Sequence, residues 1–131
     1  MNYNVVMLSG VFALLLFFCN ISIYFLFLSI RKCKKRSLQI FLAKLARKWM
    51  RIHQPVAYLI FTVILIHFLL TLMHHYQFTS KTIAGLLAAI ILVILLISGF
   101  IRQRRANKKR KLFHRTMAFL CLFFIMIHVL V

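Results

Sequence analysis

Four long apolar runs, parted by clusters of Lys and Arg, constrain this chain more than any other feature. They cover about residues 5–30, 53–74, 82–101 and 113–131. A helix of about 20 residues crosses a hydrocarbon core of about 30 Å, so each run is long enough to span. In lipid, every backbone N–H and C=O must be paired inside the protein, and an isolated apolar run achieves this as a helix. The expected fold class is therefore all-α: a four-transmembrane-helix bundle forming one membrane domain over residues 1–131.

Charge supports that reading. The chain has 18 Lys and Arg and no Asp or Glu. Spread over a polar surface, a net charge of +18 would suggest nucleic acid. Here nine cations fall in residues 31–51, eight in 102–115, and Lys81 is the remaining one. Cationic clusters between spans mark the cytoplasmic side, which puts both termini outside and leaves nucleic acid out of the expected partners. With no charged segment before it and no small-residue cleavage site after it, the first run is expected to be a retained helix, not a signal peptide.

Residues 37–52, SLQIFLAKLARKWMRI, are amphipathic. Leu38, Phe41, Leu42, Leu45, Trp49 and Ile52 recur at helical spacing, with Lys44, Arg47, Lys48 and Arg51 opposite. This predicts an interfacial helix anchored by Trp49, followed by a second span with Pro55 in its first turn. The alternative is a continuous extension of the second span, with Pro55 as a kink site.

The second and fourth runs carry the same pattern. One reads HQPVAYLIFTVILIH from His53 to His67, the other HRTMAFLCLFFIMIH from His114 to His128. In each, 14 residues separate the histidines. On a helix that spacing leaves both side chains within about 40° of one face and about 21 Å apart along the axis. Spans 2 and 4 run parallel, so His53 is level with His114 near the inner surface and His67 with His128 near the outer. Ionisable groups inside a span are costly and mark function. Neutral imidazole is an axial ligand for haem iron, and two facing imidazoles close a six-coordinate site between helices 2 and 4. Such a site has no open position, which suits electron transfer.

Other residues fit the same scheme. Gly85 and Gly99 are also 14 residues apart, on the antiparallel third span, which puts Gly85 level with the outer pair and Gly99 with the inner. A missing Cβ at each level would let a flat macrocycle approach the backbone; ordinary helix packing through small residues is the alternative. Arg51 and Arg115 stand beside the inner ligands as partners for haem propionates, with Arg104 or Lys111 behind, or else serve topology and anionic lipid. His74 and His75 fall near the outer surface, as plain loop histidines or as an alternative outer ligand or proton-handling group. Cys19, Cys33 and Cys121 form no CxxC or CxxCH, so two haem b groups would be held non-covalently, by His53 with His114 and His67 with His128.

In these two HxxxxxxxxxxxxxH pairs and the spaced glycines, the chain resembles the four-helix haem core of cytochrome b subunits of quinol:cytochrome c oxidoreductases. It is similar in size to the small diheme cytochromes b of bacteria, including ferric-reductase-like and haem-sensing membrane proteins. The resemblance implies bis-histidine haem ligation in a bacterial plasma membrane. It departs in the first span, which offers Gly10 but has Tyr24 where a second glycine would fall, and in lacking an acidic quinol-site motif. The expected function is transmembrane electron transfer between an inner or quinol donor and an outer acceptor. Membrane lipid, haem and a quinone or flavoprotein are the expected partners, with self-association into a homo-oligomer left open. The alternatives are a haem-sequestering or haem-sensing membrane protein without turnover, and a haem-free membrane anchor.

Overall fold

A computed structural model of the chain describes residues 3–73, 79–105 and 107–131. Its four helices are α1 (Tyr3–Lys32), α2 (Arg36–Met73), α3 (Ser80–Arg104) and α4 (Lys108–Leu130). All four are long and apolar enough to cross a membrane. Large apolar side chains such as Leu8, Leu15, Phe41 and Phe123 are more than half exposed, as a lipid-facing surface requires.

The helices run past the apolar stretches into the basic clusters, because Lys and Arg are good helix formers. Arg31 and Lys32 end α1, and Arg102 and Arg104 end α3, where cations complement the helix dipole. α4 opens on Lys108, Lys109, Arg110 and Lys111, against that dipole. Asn107 caps it, its side-chain oxygen accepting from the Lys109 N–H at 3.1 Å. Thr79 caps α3 in the same way, accepting from the Thr82 N–H.

The amphipathic segment 37–52 is not a separate interfacial helix. It is the first part of α2, and Pro55 lies deep inside that helix, not in its first turn. Nothing between Arg36 and Gln54 breaks a helix, and Leu, Ala, Lys, Arg and Met favour one. Proline costs the carbonyl of Arg51 its usual N–H partner and leaves the helix a weak point.

Two hairpins result. α1 packs along α2 and α3 along α4, while α2 meets α3 at few positions. Lipid tails are as apolar as the helices, so close packing through small residues holds such pairs together. Ala84, Ala88 and Ser98 on α3 and Ala13 on α1 are accordingly buried. Between the hairpins Phe17, Ile60, Leu92 and Cys121 form the centre of the core, with Ile60 and Cys121 almost fully buried.

Candidate functional site

The polar side chains inside this apolar bundle gather at two levels. At one, the rings of His53 (α2) and His114 (α4) lie 6.4 Å apart between centroids, at 75° to each other. At the other, His67 (α2) and His128 (α4) lie 6.3 Å apart at 83°. The four histidines are all half-buried. Each pair spans the gap between the hairpins.

Three of the rings are fixed by a hydrogen bond at Nδ1. His128 Nδ1 lies 2.7 Å from the Lys81 carbonyl. His67 Nδ1 lies 3.1 Å from the Val6 carbonyl and 3.0 Å from Ser9 Oγ. His114 Nδ1 lies 2.8 Å from Ser98 Oγ, whose own hydroxyl donates to the Leu95 carbonyl at 2.7 Å. A carbonyl can only accept, and Ser98 has already spent its proton. In each case Nδ1 must be the donor, which leaves Nε2 unprotonated with a free lone pair.

Glycines set how closely these rings approach the neighbouring helix. A Cβ on Gly85 would stand 2.8 Å from both Cε1 and Nδ1 of His128. On Gly10 it would stand 3.0 Å from His67 Cε1, and on Gly99 3.2 Å from His114 Cε1. The nearest protein atoms to a Cβ at Gly85 or Gly99 are thus those of an imidazole. Gly10 has the same part in α1 as Gly85 has in α3. At the position of a fourth glycine, Tyr24 packs edge-on to Phe119 at 5.2 Å, and the Arg115 guanidinium sits 5.6 Å over its ring.

A cavity beside His53 and His114 is lined also by Asn20, Gln54, Gly99 and Arg102. Arg102 is the cation of this cavity; Arg51 and Arg115 are exposed and do not line it. Gln103 donates to Gln54 at 2.6 Å, which joins α3 to α2 here. Arg104 sits over the Phe100 ring, and Lys111 is exposed. Ser9, Ser98, Gly10 and Arg102 are the site residues that spacing alone did not single out. Arg102 lies three residues beyond Gly99 on the same helix face, and both serines directly precede a glycine. His74 and His75 lie outside the described residues.

Among the described residues, no group of three or more His, Cys, Asp or Glu side chains could hold a metal ion. Each level brings two imidazole rings together, one from α2 and one from α4. No family model, curated protein or solved structure matches the chain, and what the two levels can do rests on this geometry.

Proposed function

We propose that the chain is a diheme b-type membrane cytochrome that carries electrons across the bilayer. The observation behind this reading is the ring spacing. A metal–imidazole bond is about 2 Å, and Nε2 lies about 1.15 Å from its ring centre, so two rings on opposite sides of one metal stand about 6.3 Å apart. The two pairs are at 6.4 and 6.3 Å. Two donors do not hold a bare ion such as zinc, which takes three or four protein ligands. They suit a group that brings its own equatorial ligands, as haem does.

Bound there, haem supplies a one-electron iron couple. The chain's residues do the rest. His53 with His114 and His67 with His128 would each hold one haem by its iron. Ser98, Ser9 and the carbonyls of Val6 and Lys81 hold the rings in the ligating tautomer and strengthen them as donors. Arg102 offsets propionate charge at the basic end. Phe17, Ile60, Leu92 and Cys121 keep water out of the space between the levels. With the basic clusters on the cytoplasmic side, both termini lie outside in a bacterial plasma membrane. The donor is then a quinol or a cytoplasmic flavoprotein.

The test is the reduced-minus-oxidised spectrum of purified protein, with the haem-to-protein ratio, for wild type and His67→Ala. A b-type band with two haems per chain, falling to one in the variant, is expected. Well-folded protein without haem sinks the proposal. If two haems bind but neither quinols nor flavoproteins reduce them, sequestration or sensing of haem replaces electron transfer.

A further inference from the structure

The two hairpins repeat one pattern of contacts. The main-chain carbonyls that face the four rings are those of Val6 at His67, Asn20 at His53, Lys81 at His128 and Leu95 at His114. Val6 and Lys81 are 75 residues apart, as are Asn20 and Leu95, and Gly10 and Gly85. His53 and His114 are 61 apart, and so are His67 and His128. In these contacts α3 and α4 repeat α1 and α2, from the opposite side of the bundle.

At the His67/His128 level the repeat holds on both flanks, with Gly10 against one ring and Gly85 against the other. At the His53/His114 level it fails. The counterpart of Gly99, 75 residues back, is Tyr24. Tyr24 packs edge-on to Phe119 with the Arg115 guanidinium over its ring, so it fills the flank between α1 and α4. The counterparts of Phe119 and Arg115, 61 residues back, are Tyr58 and Gln54, and both line the cavity beside Gly99. Beyond its own helix, a Cβ on Gly99 would meet only His114 within 4 Å. The cavity is therefore the space that a missing side chain leaves on one flank and that the Tyr24 ring takes up on the other.

On the diheme reading above, we infer that Tyr24 is a positioning residue that makes the His53/His114 level one-handed, so that it accepts an unsymmetrical macrocycle in one of two orientations. Turning haem b over about the axis through its propionate edge moves a vinyl group from one flank to the other and a methyl group back. Both orientations keep the propionates on one edge, so Arg102 does not choose between them. A vinyl group is one carbon longer than a methyl. A flank closed by packed side chains rejects the extra carbon, and an open flank admits it. At the other level glycine stands on both flanks and bars neither orientation.

The test counts haem methyl resonances in the proton NMR spectrum of the ferric protein. In His67→Ala/His128→Ala, which loads only the His53/His114 level, one orientation should exceed the other about fivefold or more, the effect of one overpacked carbon. Adding Tyr24→Gly should bring the two towards equal amounts, and Tyr24→Phe, which keeps the ring, should retain the bias. If Tyr24→Gly does not fold, Tyr24→Ala reads the same loss. Equal amounts with Tyr24 in place overturn this inference and leave the diheme reading standing. So does a bias that survives removal of the ring, or one that is lost in Tyr24→Phe. Protein that takes up no haem overturns both.

Discussion

A histidine in a membrane helix has two ring nitrogens to satisfy and no water for either. At His67, His114 and His128 the chain satisfies Nδ1, and each of these rings stands beside a second imidazole. Ser9–Gly10 and Ser98–Gly99 do this with adjacent residues: the hydroxyl accepts from Nδ1, and the glycine lets the ring come close enough to donate. Each serine also gives its proton to a carbonyl three residues back, as a hydroxyl inside a helix commonly does. These dipeptides were visible in the chain, whereas the acceptors at Val6 and Lys81 are backbone carbonyls and carry no residue signature. The contacts rank the glycines. In Gly85→Ala the new Cβ would overlap two atoms of His128 at 2.8 Å, so the ring must move and its bond to the Lys81 carbonyl is strained or lost. On the diheme proposal, haem affinity at that level should fall about 10- to 100-fold, the usual effect of disturbing a ligand's supporting hydrogen bond. Gly99→Ala, at 3.2 Å from His114, should cost only a few-fold. Haem titration of the two apoproteins, with the levels resolved spectrally, checks this; equal losses would separate the glycines from the rings.

At the scale of the element, α2 does not run straight beside α1. Gly10 meets His67, and the Gln39 side chain reaches the Ile30 carbonyl at 3.4 Å. Between those contacts α1 advances 20 residues, from 10 to 30, and α2 advances 28, from 67 to 39. At 1.5 Å per residue that is about 12 Å of extra helix, so α2 must bend or cross α1 obliquely. Pro55 lies in this stretch and is where its hydrogen-bond ladder is broken. The amphipathic pattern of 37–52 therefore showed correctly that this part of the chain differs from the span after it, but not that one helix holds both. Pro55→Ala should restore the missing rung and straighten α2, carrying residues 36–54 away from α1. Spin labels at positions 27 and 40, in a chain with its native cysteines replaced, should move apart by several ångströms. An unchanged distance would mean that packing, not the proline, sets the path.

Across the whole molecule, one seven-residue interval recurs on every helix. Ile60 is seven residues from both His53 and His67, and Cys121 from both His114 and His128. Leu92 is midway between Gly85 and Gly99, and Phe17 is seven residues from Gly10. These four midpoints are the buried centre of the core. Two heptads bring a seam back to the same partner when helices wrap gently around each other, which absorbs the drift of about 40° left by a straight helix. The bundle is therefore three layers: a histidine pair, an apolar plug and a second pair. Because both pairs rest on one plug, Ile60→Ala should weaken both together, with a loss of the order of 2–4 kcal/mol for a cavity at a fully buried isoleucine. Thermal unfolding in detergent, together with haem occupancy at each level, measures it. A loss confined to one level would show that the plug is not shared.

Apolar length determined that this chain makes four helices able to cross a membrane, because lipid leaves the backbone no other way to pair its polar groups. Helical periodicity put two histidines on one face of α2 and two on one face of α4. Both are local properties, set within a turn or a span. What only the tertiary structure decided is how the helices meet: that the glycines lie against imidazoles, that Arg102 and not Arg51 or Arg115 lines the cavity, and that α2 continues through Pro55. Each depends on which residue of another helix stands opposite, at distances where a single Cβ or a single hydrogen bond matters, and spacing along one helix holds no information about that.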